Sequence, residues 1–353
     1  MRKLVTVRRV GNLSAIEGAD FIQKAQVDGW ECVVKAGEFQ EGDLGVYFEI
    51  DSFLPESDER YSFLMNKGKK TFDGVSGHRL RTVKLKKQIS QGLLLPVSQF
   101  PEIDAQQAYE EELDLSETLG IVKYEKQDNG GGRTAGSFPY FIPKTDEERV
   151  QNLYNKWSDK YRDEYFVPTL KLDGSSITAY GVSNPELFED EESEHREVGV
   201  CSRKLRLDKT DTDNRFIVGF ANENWEHIIQ NALDDGLQIA LQGELMGPGV
   251  QGNREDFSTY RIYLFNVFDI TEQRYFTPSE FDKFVWDYNV RHVAPKIASP
   301  IKIFEYTLDE ILKYSEGLSI NDVEREGIVW KSLTESGLSF KSISNKFLLE
   351  GGD

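Results

Sequence analysis

At 353 residues, with 39% hydrophobic and 29% charged residues, the chain is long enough to bury two cores and has the composition of a globular protein. Its two cysteines, Cys32 and Cys201, exclude a disulfide framework and a zinc cluster, so a reducing, cytoplasmic compartment is expected. With 42 basic against 61 acidic residues, a net charge of -19, a uniformly basic surface is excluded, and an anionic partner has to be met by a local patch.

The N-terminus, MRKLVTVRRV, alternates apolar and charged residues without a continuous apolar run. Neither a signal peptide nor a membrane span is expected there. The first hundred residues read as β-rich. LVTVRRV, FIQKAQVDGWECVVKAG, DLGVYFEI and RLRTVKLKKQ are short alternating or β-branched runs, punctuated by Gly29, Gly37, Gly42, Gly45, Gly74 and Gly77. Several short strands in this length suggest a small closed barrel of the OB type, with a sandwich as the alternative. Lys67 to Lys87 carries eight Lys/Arg against the single acid Asp73. That focused charge is either a nucleic-acid surface, through Arg79, Arg81, Lys84, Lys86 and Lys87, or a solvated strand face.

The pattern breaks after Glu102, where an acidic stretch leads into EKQDNGGGRTAGSFPYFIP. We expect a barrel domain over residues 1–105, a linker over 106–137 and a second domain over 138–353. TDEERVQNLYNKW opens like a helix, with Thr145 and Glu148 forming a capping box. VPTLKLDGSSITAYGV and EVGVCSRKLRL read as strands flanking an acidic insertion, Pro185 to Glu197. NRFIVGFANENWEHIIQNALDDG has helical spacing, and LQIALQGELMG and RIYLFNVFDI read as strands. Helices PSEFDKFVWDYNV and LDEILKYSEG and strands REGIVWKS and LSFKSI complete the chain. Strands and helices mix without a regular βαβ beat, so the expected class is α+β.

Within this order, TLKLDGSSITAY places Lys171 in a β-branched run two residues before Asp-Gly. Alone, that is equally a solvated charge beside a hairpin turn. Downstream, however, Arg203, Glu244, Phe268 with Asp269, Glu326 with Lys331, and Lys341 with Lys346 interrupt strands that otherwise look apolar. Buried charges are costly unless paired. Such a series implies one shared polar pocket between sheets. The four histidines are scattered and show no metal spacing.

This ordered series resembles the covalent nucleotidyltransferases, the superfamily of ATP-dependent ligases and mRNA capping enzymes. Lys171-Leu-Asp-Gly is similar to the nucleophile motif. GELMGPGVQGN, VFDI and KSISNKF resemble the RNA-ligase versions of the later motifs. YFEIDSFLP and KKQISQGLLLP resemble the OB-type head of RNA ligase family 5. The resemblance covers nearly the whole chain.

It implies an OB-like head followed by an adenylation domain of antiparallel sheets flanked by helices, and an ATP-dependent RNA ligase. A 3′-OH end would be joined to a 5′-phosphate end through lysyl-AMP and RNA-adenylate, on a nicked duplex in RNA repair, by a monomer. Lys171 would be the nucleophile, its pKa lowered by burial beside Leu170, Leu172 and Ile177 and by the charge of Lys341 and a metal. Asp173, Glu244 and Glu326 would hold Mg²⁺ or Mn²⁺, with Glu244 also near the ribose. Phe268 would stack on adenine; Arg203 and Lys341 would meet phosphate; Arg149 would lie near AMP, and Gln151 would read the adenine edge. Lys331 and Lys346 are further candidates. Family members often carry a second lysine where Ile343 stands; either Lys346 replaces it in function or Lys341 acts alone. The rivals are a capping guanylyltransferase, whose OB domain normally follows its catalytic domain, a DNA ligase, and a non-catalytic OB-fold RNA-binding protein.

Overall fold

A computed structural model describes residues 2–125, 128, 130–183 and 196–350, with the side chains of Asn66 and Lys67 excepted. Most of the acidic insertion expected at 185–197 lies outside the described residues. The chain divides into two compact units, one of residues 1–126, 150–158 and 348–351, the other of 127–149, 159–347 and 352–353.

The first unit is built as the alternating runs foretell. Strands β1 (Val5–Ile16), β2 (Ala19–Val27), β3 (Trp30–Lys35) and β4 (Leu44–Phe48) form a five-stranded sheet with β10 (Leu93–Pro96), in the order β10-β4-β1-β2-β3. Strand β1 serves two neighbours. Val5 to Arg9 pair with β4, and a bulge between Val10 and Leu13 turns the chain so that its far half pairs with β2. A second sheet joins β5 (Ser52–Pro55), β6 (Lys70–Phe72), β7 (Val75–Arg79) and β11 (Val122–Lys123). Strands β8 (Val83–Leu85) and β9 (Gln88–Ser90) form a separate hairpin.

The expected linker is not one. Residues 105–110 form helix α1 (Ala105–Glu110), and Leu115, Leu119 and Ile121 are buried with Val5, Val7, Val46, Phe48 and Leu95. Each such side chain contributes about 1.5–3 kcal/mol by leaving water, so this stretch belongs to the barrel core. The barrel also takes helix α2 (Val150–Trp157). Asn152 on α2 donates to Glu49 Oε1 (2.6 Å) and accepts from Trp30 Nε1 (2.6 Å) and Arg8 Nη1 (2.9 Å). Glu49 is fully buried and also accepts from Arg2 Nε (2.5 Å) and Arg8 Nη2 (3.0 Å). A buried carboxylate demands such partners. Truncating Asn152 would therefore leave Glu49 short of one.

Helix α2 starts at Val150, not at the expected capping box. The Thr145 hydroxyl instead meets Ser176 Oγ (3.2 Å), and Glu148 Oε1 accepts from the Arg149 backbone N–H (2.8 Å). Tertiary partners have outcompeted a local capping pattern.

The second unit holds two sheets. Seven strands run in the order β12-β16-β15-β14-β17-β18-β19: β12 (Thr134–Ser137), β14 (Ser175–Val182), β15 (Glu197–Cys201), β16 (Leu205–Leu207), β17 (Ile239–Met246), β18 (Arg261–Asp269) and β19 (Arg274–Tyr275). Three more run β13-β20-β21: β13 (Phe166–Lys171), β20 (Gly327–Ser332) and β21 (Ser339–Ile343). One face of the large sheet, with Ile177, Leu241, Leu245 and Ile262, packs on helices α3 (Arg215–Asn222) and α4 (Trp225–Asp234). Sequence periodicity suggested one helix here. Asn224, in the left-handed region at φ 57°, ends the first and starts the second. Helix α5 (Pro278–Asp287) begins at a Thr277/Glu280 capping box, and α6 (Leu308–Tyr314) and α7 (Asn345–Leu349) follow. The outer face of the small sheet stacks Phe166, Trp330 and Phe340 against Phe304.

Candidate active site

Asp173-Gly174 does not turn a hairpin. Strand β13 pairs with β20 in the small sheet, while β14 pairs with β15 and β17 in the large one. The chain changes sheets at this dipeptide. Gly174 is required by closeness: a Cβ there would lie 2.4 Å from Leu245 O and 2.8 Å from Glu244 Cγ. Its N–H donates to Glu244 Oε1 (3.1 Å), which ties the crossover to β17.

Because neighbouring residues on a strand face opposite ways, Lys171, Thr169 and Val167 share one face of β13. Their cross-strand partners are Gly327, Val329 and Lys331 on β20, and beyond them Ile343, Lys341 and Ser339 on β21. This face looks toward Ser176, Gln242, Glu244, Asn266 and Phe268 of the large sheet. The link is direct: Lys331 Nζ donates to Asn266 Oδ1 (2.7 Å) and to Phe265 O. Phe265 is the extra residue of a β-bulge opposite Gln242 and Gly243, which takes its carbonyl out of the ladder. Burial, with Lys296 opposing protonation and Glu147 favouring it, lowers the Lys331 ammonium to about 8.

At the centre, Lys171 Nζ meets Glu326 Oε1 at 2.7 Å. Burial alone would push the ammonium down, but Glu326, Glu244 and Asp173 together outweigh it and hold the pKa above the ordinary lysine value. The expected lowering is thus not produced by these side chains alone. Lys341, expected to raise the positive potential at Lys171, is instead paired with Asp146 Oδ1 (3.2 Å), and Arg203 Nη2 reaches Asp146 Oδ2 (3.4 Å). Burial first, then repulsion from Glu326 and Asp173, pushes Glu244 up to about 8 against the pull of Lys171. That crowding of acids around one lysine is what a divalent cation would relieve. Among the described residues no three carboxylates form a ready-made cage. The set therefore suits an ion that keeps water and takes phosphate oxygens, as Mg²⁺ does.

Several expectations change. Leu170 and Leu172 point away from Lys171 into an apolar cluster with Met246, Phe257 and Tyr263, and Ile177 faces the helices. Ile343 is buried and closes the cross-strand row Lys171–Gly327–Ile343. Lys346 lies on α7, outside that row. Its ammonium stands at the surface on Glu324 Oε2 (2.6 Å), so Lys346→Ala should change adduct formation less than about threefold while Lys341→Ala cripples it. A severe loss at Lys346, measured with labelled nucleotide, would return it to the site.

Phe268 lies on the cleft face, edge-on to Tyr275 at 5.1 Å and packed with Tyr180 and Ala240. Arg149 is buried and forms a parallel bridge with Lys341. Gln151 is buried on α2 in the first unit, its carbonyl accepting from Gly29 N (3.1 Å). Of the basic stretch, Arg79 is buried, bonded to Asp51 Oδ1 (2.7 Å) and laid over Tyr124, so it is a structural cation. Arg81, Lys84, Lys86 and Lys87 are exposed. Sequence reasoning missed Asp146, Gln242 and Asn266. Lys-Thr-Asp-Glu-Glu-Arg read as a helix start, and the two amides carried no charge signal.

A lysine at a change of sheets, facing acids across a cleft and preceded in the chain by a barrel, defines the nucleotidyltransferase-type ligase fold with an OB head. An OB-fold domain model matches residues 4–97, and the RNA ligase family model matches residues 164–346. The chain belongs to the RNA ligase family. Among solved structures, it is similar to Naegleria gruberi RNA ligase with pyrophosphate, at 38% identity and a TM-score of 0.87 over 99% of this chain and 98% of that one. A lysine-to-alanine mutant of that ligase with ATP and Mn shows 38% identity and a TM-score of 0.86, covering 98% of each chain. An apo mutant gives 38% identity and 0.87, over 99% and 98%. No curated protein sequence gives a significant match. No described helix is long and apolar enough to cross a membrane.

Proposed function

We propose that the protein is an ATP-dependent RNA ligase that joins 3′-OH and 5′-phosphate ends through lysyl-AMP. The observation that carries this is the Lys171–Glu326 pair at the change of sheets, faced by Glu244. Neutral Lys171 Nζ attacks the α-phosphorus. The N–P bond forms as the bond to the β-phosphate oxygen breaks, pyrophosphate leaves, and Glu326, already in contact with Nζ, is placed to take the ammonium proton. A divalent cation held by Asp173, Glu244 and Glu326 would supply positive charge to the phosphates. Once these acids are so engaged, burial is left to lower the Lys171 pKa. Lys341 and Arg203 hold phosphate oxygens, Arg149 supports Lys341, and Phe268 offers a ring to adenine. The neighbouring structures with ATP, Mn and pyrophosphate support the nucleotide and metal roles. The test is incubation with α-labelled ATP or GTP followed by a denaturing gel. Label from ATP retained on Lys171 is expected; label from GTP would make the protein a guanylyltransferase, and none would end the covalent reading.

For RNA, the β8–β9 hairpin is the surface of choice. Its two-residue turn is Lys86-Lys87, at φ 49° and 69°, where Asn-Gly would be relaxed. Two lysines in left-handed conformation cost about 1 kcal/mol or more each. Lys84 and Arg81 stand nearby in sequence and are also exposed. Local strain tolerated at a doubly charged tip fits phosphate binding on a nicked duplex during repair. Lys86→Asn with Lys87→Gly should keep or raise stability, weaken nicked-RNA binding, and flatten the slope of log K against log[salt] by about 1–2. Adduct formation with ATP should be unchanged. Unaltered binding and slope in a filter assay would make the tip a solvated strand end.

A further inference from the structure

Asp146 is an acid at the cleft that neither the nucleophile nor the proposed metal shell uses. It lies on the segment from Pro143 to Arg149, which crosses between the two sheets and is fastened to both. On the large sheet, Gln242 Nε2 donates to Pro143 O (2.8 Å) and Thr145 meets Ser176 (3.2 Å). On the small sheet, Ser339 Oγ donates to Glu147 Oε2 (2.5 Å) and the Lys341 N–H to Glu148 O (2.8 Å). Between these anchors the Asp146 carboxylate divides its oxygens. Oδ1 faces Lys341 Nζ from the small sheet at 3.2 Å, and Oδ2 faces Arg203 Nη2 beside the large sheet at 3.4 Å.

A carboxylate shared by a lysine and an arginine from opposite walls has the charge and reach of a phosphate group in that place. Both contacts exceed the 2.7–2.9 Å usual for charge-assisted hydrogen bonds. A dianionic or trianionic competitor brings more charge to the two cations than one carboxylate does and can displace it. We propose that Asp146 is an internal competitor of the nucleotide phosphates: it holds Lys341 and Arg203 across the cleft, and ATP or pyrophosphate must displace it to bind. It is a positioning residue, acting on the nucleotide only through those two cations. The inference rests on the reading that Lys341 and Arg203 meet phosphate. It adds that the chain trades nucleotide affinity for a prearranged, neutralised cleft, and so for easier release of pyrophosphate.

The test compares wild type with Asp146→Asn and, should that variant fold poorly, Asp146→Ser. Calorimetric titration with magnesium pyrophosphate reads binding without chemistry, and adduct formation against ATP concentration reads catalysis. Both variants should bind pyrophosphate about tenfold more tightly, and half-saturation by ATP should fall by a similar factor. The rate at saturating ATP and the binding of adenosine, which has no phosphate, should stay at wild-type values. Unchanged or weaker pyrophosphate binding would overturn the inference and make Asp146 a structural or ligand-holding acid. Failure of the wild type to form an adduct would instead overturn the ligase reading, and the pyrophosphate titration would still judge Asp146.

Discussion

Lys171→Arg is expected to abolish the labelled protein–AMP adduct and, with it, sealing of 5′-phosphate RNA. Arginine keeps the positive charge, and its guanidinium can still pair with Glu326, so the acid cluster is not left bare. It stays protonated at any workable pH, however, and presents no free lone pair to phosphorus. The loss should therefore be chemical rather than structural. Circular dichroism and the melting temperature should stay near wild type, and pyrophosphate should still bind through Lys341 and Arg203. Labelling at near-normal rates, with the adduct mapped to another residue, would remove Lys171 as nucleophile. Lys331 would be the first alternative to test, since burial already lowers its ammonium to about 8. Its bonds to Phe265 O and Asn266 Oδ1 assign it instead to bracing the two sheets.

Glu326→Gln should lower sealing by at least about 100-fold, about 2.7 kcal/mol in the barrier. The substitution keeps shape and hydrogen-bonding ability but removes the charge that faces Lys171 at 2.7 Å. Two consequences oppose each other. The Lys171 ammonium loses its nearest carboxylate, so its pKa falls and more of it is neutral at pH 7. The cluster also loses a proton acceptor and one of the acids able to hold a divalent cation. If the first effect ruled, the variant would form adduct faster than wild type at neutral pH. The second should rule, because a neutral amine without charge compensation at the phosphate still faces most of the barrier. Adduct formation across magnesium concentrations decides between them. A gain in rate, or near-normal sealing at limiting magnesium, would reduce Glu326 to a restraint on the lysine.

The site was legible where chemistry demands a rare residue in an apolar strand. Lys171, Glu244, Glu326 and Lys341 each stand in or beside a segment that otherwise looks apolar, and the cost of burying an unpaired charge makes such positions informative. The barrel was legible for a similar reason, since period-two alternation with glycine punctuation allows few other folds. The extent of the barrel was not legible. Leu115, Leu119 and Ile121 sit among acids and turn residues, and nothing local says that they fill the same core as Val5 and Phe48.

What the sequence alone indicated was the barrel-first order of the chain, the α+β class and the residue types of the candidate site. These follow from local periodicity and from the cost of buried charge, and both are written in short windows. Only the tertiary structure decided the partners. Asp173-Gly174 reads as a hairpin turn, yet the strands it joins lie in different sheets. Lys-Thr-Asp-Glu-Glu-Arg reads as a helix cap, yet it crosses a cleft and lends Asp146 to Lys341 and Arg203. Arg79 reads as one more cation in a basic run, yet Asp51 claims it, whereas Lys86 and Lys87 stay exposed at a strained tip. In each case a local preference worth about 1 kcal/mol is overruled by contacts between residues far apart in the chain, which no window along the sequence contains.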